Sequence, residues 1–379
     1  MRDFIDNDFR STNVLNVDLG VANYDVQIGS DLIKKLVSDL LEDQSQTVII
    51  IDSAVTNFVR DRCKNFDQLN IIELAAGKES KTFTTLTNIF SKLEQLNLSR
   101  NGKIIAIGGG VIGDVAGLAA CLWYRGCELV HVPTTLLASV DSCLGGKTAI
   151  NLDTTINAIG SYYHPSQIII DTDFLENLPA RELKSGLAEV IKYSVLGNEE
   201  ITKMLNRYNY KEIIHYENLK QLISLCLMQK IKFVVGDVEE SNKRLFLNLG
   251  HTIGHALEIN SIIKGKEMLR HGEGVALGLI AISKIAVKVG VLCQIEFQHI
   301  IRLVKKFGLR TNVSSHLFAC DRHQLIEKCI ESTFKDKKRT PQDLRLILPT
   351  SSVGPCKVYS TNSRELIQLG IEYVLENTE

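Results

Sequence analysis

The apolar run Lys103–Ile107 reads as a buried strand, and it continues without a break into Gly108-Gly109-Gly110-Val111-Ile112-Gly113-Asp114. Glycines at 108, 110 and 113 have the G-x-G-x-x-G spacing, set between that strand and a following helix. There the absent side chains let backbone approach a pyrophosphate, and the helix N-terminus favours its negative charge. A tight structural turn is the bland reading of the same residues. The motif follows the third strand of its series and does not open the fold, which sets it apart from an ordinary first Rossmann unit.

The flanking segments repeat the unit of strand then helix. Leu15–Leu19 and Tyr24–Ile28 alternate about Gly20 as an opening hairpin. Asp31 is positioned to cap a helix running through Leu41, with Leu32, Ile33, Leu36 and Leu40 on one side. Thr47–Ile51 ends at Asp52 and leads into a helix to Cys63; Ile71–Leu74 and Thr82–Leu96 form the next pair; Leu129–Val132 and Ile168–Ile170 are further strands. Short apolar strands alternating with helices predict a parallel sheet covered on both faces. Asp52, at a strand's carboxyl end, is placed to meet a ribose, and Gly77-Lys-Glu-Ser-Lys81 forms a second phosphate-facing loop.

From Pro179 onward strand signals fade and amphipathic helices take over, at Arg181–Leu196, Tyr216–Val235, Thr252–Ile259, Glu273–Val289 and Phe297–Phe307. A chain of 379 residues exceeds one comfortable core. Two domains are therefore expected: residues 1–178, an α/β nucleotide-binding domain with a Rossmann-like parallel sheet, and residues 179–379, an all-α domain for metal and substrate, with the active site in the cleft between them. The net charge of −1 argues against nucleic acid or an anionic membrane as partner, so any anion must be met by a local cluster. Nine cysteines, an odd number without a CxxC pair, fit reduced thiols. Acids near the N-terminus, where a signal peptide has an apolar core, and the lack of a run of about 18 apolar residues lead to the expectation of a cytoplasmic protein.

Two polar stretches point to chemistry. In Asn248-Leu-Gly-His251-Thr-Ile-Gly-His255-Ala-Leu-Glu258 two imidazoles four apart share a helix face. With a third histidine in Arg270-His271-Gly272-Glu273, and a carboxylate in Gly186-Leu-Ala-Glu189-Val-Ile-Lys192, the chain has the residue types of a catalytic zinc site. An isolated HxxxH is more often an ordinary surface or core feature. The crowding of Lys230, Lys243, Arg244 and Asn248 just upstream favours function. The second stretch, Asp141-Ser-Cys-Leu-Gly-Gly-Lys147-Thr-Ala-Ile-Asn151, follows a strand's carboxyl end, where α/β folds place their chemistry; helix capping by Asp141 is its structural alternative.

Taken together, Gly108–Asp114, Val132-Pro-Thr-Thr-Leu-Leu, Val140–Lys147, Leu178–Tyr193 with its Gly-Leu-Ala-Glu-Val-Ile-Lys core, Asn248–Glu258 and His271-Gly-Glu resemble the 3-dehydroquinate synthase family of sugar phosphate cyclases. The resemblance runs from about Asp52 to Pro349. It implies that Glu189, His251 and His271 bind zinc, with cobalt as an alternative, and that His255 stands beside the substrate. It further implies NAD contacts at Asp52, Lys81, Gly109, Gly110, Val111, Asp114, Thr134, Thr135 and Lys147. Asp141, Lys147, Lys192 and His255 are implied as catalytic residues, and Arg125, Asn157, Lys230, Arg244, Asn248 and Lys337 as contacts to a sugar phosphate substrate. Lys338 is the alternative to Lys337, and Arg125 is the residue that reaches the site in the family's homodimers.

The implied reaction converts 3-deoxy-D-arabino-heptulosonate 7-phosphate to 3-dehydroquinate and phosphate, through transient oxidation by NAD, elimination, re-reduction and an aldol closure. NAD ends the cycle unchanged. One departure stands out: Thr155-Ile156-Asn157 puts isoleucine where the family usually has lysine. Loss of one charged hydrogen bond weakens binding by roughly 1.5 to 3 kcal/mol unless another cation, such as Lys243, substitutes. Cyclases of the deoxy-scyllo-inosose or valiolone type, an NAD-linked polyol dehydrogenase, and a catalytically impaired NAD-binding homologue are the competing readings.

Overall fold

The computed structural model describes residues 12–43, 46–75, 77–152, 155–263, 266–335, 343–351 and 355–375. By its contacts the chain divides into two compact units: the residues up to Pro179 together with Lys230–Glu239, and Ala180–Gln229 together with the residues from Glu240 onward.

The first unit is built on β1 (Asn13–Asp18), β2 (Asn23–Gly29), β3 (Thr47–Asp52), β4 (Asn70–Leu74), β5 (Lys103–Gly108), β6 (Glu128–Pro133), β7 (Lys147–Leu152), β8 (Thr155–Tyr162) and β9 (Gln167–Asp171). Seven of these form one sheet in the order β1-β2-β9-β6-β5-β3-β4, parallel throughout except for the antiparallel β1–β2 pair. Helices α1 (Leu32–Glu42), α2 (Ser53–Arg62), α3 (Phe83–Gln95), α4 (Gly110–Leu122) and the short α5 (Asp173–Glu176) accompany it. Along β3 the side chains alternate between two cores, Val48 and Ile50 packing with α3 and α4, Ile49 and Ile51 with α1 and α2. That is why the strand reads as an unbroken apolar run: both faces are buried.

One expectation needs correction here. Asp31 occupies the N-cap position of α1 but makes no cap; its φ is 57° and its carboxylate pairs with Lys34 at 2.6 Å. The cap is supplied from across the sheet by Asp171, which accepts from the Ile33 N–H at 2.8 Å. The polar stretch after Ser142 is a second small sheet, the β7–β8 hairpin. Ile150 anchors it in the core under α4, and Gly117 makes room for it, since a methyl there would lie 2.5 Å from Thr148 Cγ2.

The second unit is helical, with α6 (Ala180–Val195), α7 (Glu199–Arg207), α8 (Tyr210–Ile213), α9 (Tyr216–Val234), α10 (His251–Asn260), α11 (His271–Lys288), α12 (Gln294–Lys306), α13 (Arg322–Lys335) and α14 (Arg364–Val374). The last turn of α9 groups with the first unit. The unit is not purely α-helical: β10 (Ile262–Ile263) pairs with β11 (Lys266–Glu267), and β12 (Leu344–Pro349) with β13 (Cys356–Thr361). In the last pair, hydrophobic residues of β12 are buried while β13 is largely half-exposed or exposed, a pattern that apolar periodicity alone reads weakly.

Candidate active site

In the first unit the chain direction decides where a ligand fits. From β3 the chain moves outward to the edge strand β4, whereas from β5 it moves the other way to β6. The crevice outside the carboxyl ends of β3 and β5 is thus the topological switch point, where open α/β sheets take their ligands. Asp52 ends β3 and Gly108 ends β5. Gly109 caps α4, and side chains would crowd this turn: a methyl on Gly109 would lie 3.2 Å from Thr135 Cγ2, and one on Gly110 3.1 Å from Ser142 Oγ. Thr134 is buried beside it, donating its N–H to Gly108 O at 3.0 Å. Val111 follows in the first turn of α4.

Charged groups gather around that turn. Lys81, only 5% exposed, hydrogen-bonds both Asp114 and Asn157. Burial raises the Asp114 carboxyl above its usual range against the pull of Lys81, Lys147 and Lys230. Lys147 lines the cavity under the glycines. Lys230 donates to the Asp141 backbone oxygen at 2.6 Å and lies 3.0 Å from its carboxylate, and Asp141 sits within the single turn Ala138–Ser142 and does not cap a helix. Asp52 is a helix cap, accepting from Ala54 N–H at 2.9 Å, and burial raises its carboxyl. Arg125 is not brought to this cluster. It is exposed, at φ 68°, beyond the far end of α4, roughly 20 Å along a helix of this length.

In the second unit backbone contacts bring α6, α10 and α11 together. A methyl on Gly272 would lie 1.9 Å from Ser185 O, and one on Gly254 2.7 Å from Gly274 O. These approaches gather side chains from the three helices. His251 and His271 open α10 and α11, and their Nε2 atoms lie 3.4 and 3.5 Å from Glu189 Oε1 on α6. His255 completes a group of three imidazoles whose nitrogens lie within 4.8 Å of one another. Spacing grouped His255 with His251, and the structure brings it in.

The other ring nitrogens are engaged. His251 Nδ1–H donates to Leu249 O and His271 Nδ1–H to Glu258 Oε2, each at 3.1 Å. This arrangement turns both Nε2 atoms toward Glu189, as metal sites do when outer partners fix the ring orientation. Glu189 is fully buried, its oxygens make no hydrogen bond of regular geometry, and Lys192 Nζ stands 2.5 Å from Oε2. Burial alone would raise its carboxyl; Lys192 and His251 hold it well below the usual range. Burial lowers His251, whereas for His271 Glu258 and Glu189 overcome burial and raise the imidazole to about 10.

Arg244 is buried at 1% exposure in the turn Lys243–Asn248, Asn248 Nδ2 donates to Glu240, and Lys243 is exposed. Lys337 and Lys338 lie outside the described residues. Sequence reasoning missed Glu240, and it placed the Glu258 carboxylate on the histidine helix without giving it the role of a partner to His271. Glu258 stood inside the histidine motif, one helical turn after His255, where a search for outer-shell carboxylates would have given it that role.

A family model described as 3-dehydroquinate synthase N-terminal matches residues 71–185, and one described as 3-dehydroquinate synthase C-terminal matches residues 186–339. The 3-dehydroquinate synthase of Desulforamulus reducens is 36% identical over 346 residues, 89% of this chain and 93% of its own. That of Colwellia psychrerythraea is 36% identical over 365 residues, 94% of this chain and 99% of its own. A 2-deoxy-scyllo-inosose synthase solved with carbaglucose-6-phosphate, NAD+ and Co2+ is 27% identical with a TM-score of 0.81, covering 95% of this chain and 99% of that one. At 21% identity and the same TM-score, 2-epi-5-epi-valiolone synthase from Streptomyces hygroscopicus shares the fold. With both family models spanning most of its length and curated relatives above one-third identity, the chain belongs to the 3-dehydroquinate synthase family.

Proposed function

We propose that the glycine turn and the imidazole cluster serve one reaction, the conversion of 3-deoxy-D-arabino-heptulosonate 7-phosphate to 3-dehydroquinate and phosphate. The enzyme is a carbon–oxygen lyase of the 3-dehydroquinate synthase type. The observation that supports this most directly is the set Glu189, His251 and His271, with both imidazole Nδ1–H groups tied off and the carboxylate oxygens shielded from water. That donor set fits a divalent ion such as zinc or cobalt, and the glycine turn at the switch point fits NAD. When bound, NAD takes up and returns the carbinol hydride and the metal polarises adjacent substrate oxygens.

The chain's own residues do the rest. Asp52, Lys81, Gly109, Gly110, Val111, Asp114, Thr134, Thr135 and Lys147 hold the dinucleotide. His255 takes the hydroxyl proton as the carbinol is oxidised, and Asp141, held by Lys230, orients the substrate. Lys147, Lys192, Lys230 and Arg244 answer a substrate with about three negative charges. Asn157 and Asn248 fix hydroxyls, and Lys337 or Lys338 meets the phosphate. Lys81 bonds the side chain of Asn157, the residue next to Ile156, so it supplies a cation beside the position where the family's lysine is missing.

The chain is further inferred to act as a cytoplasmic homodimer, with no nucleic-acid or membrane partner. Nine free thiols fit a reducing compartment, and an Arg125 so far from its own glycine turn fits a role in a partner's site. Phosphate release and product formation should be measured with the heptulosonate, sedoheptulose 7-phosphate and glucose 6-phosphate in parallel. Turnover of the heptulosonate alone supports the reading. A cyclase of the deoxy-scyllo-inosose or valiolone type is the reading that takes over if only the sugars without a carboxylate react.

A further inference from the structure

The second unit has a cavity of about 340 Å³ lined by Arg181, Lys184, Glu273, Gly308, Leu309 and Arg310. Three of its side chains are cationic and one is anionic. The anion is already answered: Arg181 donates to Glu273 from Nε at 2.8 Å and from Nη2 at 2.7 Å, and the Arg270 backbone N–H donates at 2.9 Å. Among the described residues neither Lys184 nor Arg310 has an ion pair; the Lys184 ammonium lies over the Tyr210 ring, 5.5 Å from its centroid. Two positive charges thus face the cavity in surplus.

The Lys184 ammonium lies against the end of α12. Gly308 ends α12 at φ 67°, and a methyl there would fall 2.9 Å from Lys184 Nζ. Glycine serves the left-handed turn, and the ammonium rests in the space beside it. A cavity of this size takes a small metabolite, and an ammonium and a guanidinium lining one cavity suit a phosphoryl group.

We propose that this pocket binds a small phosphate ester, its phosphoryl oxygens held by Lys184 and Arg310 and the remainder lying against Leu309. The site is independent of the reaction proposed above, because none of its residues has a role there. Calorimetric titration of the full chain with ribose 5-phosphate tests it, with the same titration of a Lys184→Gln/Arg310→Gln variant isolating the pocket from any binding at the reaction centre. The expected result is a binding component at least tenfold weaker in the double variant, retained within threefold by Lys184→Arg, with turnover unchanged in both. Arg310→Gln alone, at an exposed position, is expected to weaken the component about threefold. Inorganic phosphate is the second probe and should bind at least threefold more weakly than the ester. Superimposable ester isotherms for wild-type protein and the folded double variant would overturn the proposal, as would inorganic phosphate binding as tightly as the ester.

Discussion

Gly278 of α11 and Gly250 at the start of α10 stand so close that a methyl on Gly278 would lie 1.9 Å from the Gly250 carbonyl oxygen. The atom in the way is backbone, so relief requires the helices to separate. His251 follows Gly250 directly, so separation moves one of the three imidazoles. Gly278→Ala should cost roughly 1 to 3 kcal/mol as an overpacked core position and weaken zinc binding with it. Chelator competition and urea unfolding on the same preparation measure both. Unchanged zinc affinity in a destabilised protein would separate packing from the cluster.

Glu258 is the sharper probe of the metal reading, because it accepts from His271 Nδ1–H. Glu258→Gln keeps the shape but exchanges a carboxylate acceptor for an amide. Loss of such an outer partner typically lowers metal affinity by 10- to 100-fold. We expect that loss for zinc with the helical circular dichroism unchanged. Equal affinities in the two proteins would count against His271 as a ligand.

The buried Lys81–Asp114 pair gives a prediction about both stability and cofactor. Removing one partner of a fully buried pair costs about 3 to 5 kcal/mol, and the Asp114 side chain, 21% exposed, keeps some water contact that lessens it. Lys81→Met should approach the lower figure, since burial already favours the neutral form of Asp114. Adding Asp114→Asn should recover most of the stability, while NAD affinity stays reduced because the cation is still missing. A double variant as unstable as the single one would remove the charge argument.

Much of this was legible in the sequence because parallel strands buried on both faces are written as plain apolar runs, as in Thr47–Asp52 and Lys103–Gly108. What spacing could not supply was spatial order. Gly108–Asp114 seemed misplaced after the third strand of its series, yet β5 lies inside the sheet, next to β3 at the switch point. Asp31 illustrates the opposite failure: a good capping residue displaced by Asp171, which is 138 residues from the N–H it accepts. The β7–β8 hairpin went unread because its exposed β8 has little apolar alternation. The imidazole cluster depends on Gly250, Gly254, Gly272, Gly274 and Gly278, whose meaning appears only when helix meets helix.

Two buried groups of the first unit titrate in opposite senses, and their pH windows overlap. Burial lowers His131 to about 4, from an ordinary 6.5, and raises Asp171 to about 6, from 3.8, against the N–H groups of Ile33 and Asp173 that it accepts. For His131 the unfolded chain binds the proton first, so its contribution is full above pH 6.5 and is lost as pH falls toward 4. For Asp171 the folded chain binds the proton first, so stability is gained as pH falls from 6 toward 3.8. Each swing is about 3 kcal/mol in full, and between pH 6 and 4 they largely cancel. Trp123, the single tryptophan, lies in this unit and reports its urea unfolding. Relative to wild type, His131→Gln should gain stability between pH 6.5 and 4, and Asp171→Asn should lose it between pH 6 and 4. Parallel stability curves for the three proteins across that range would show that neither group is held in its neutral form by burial.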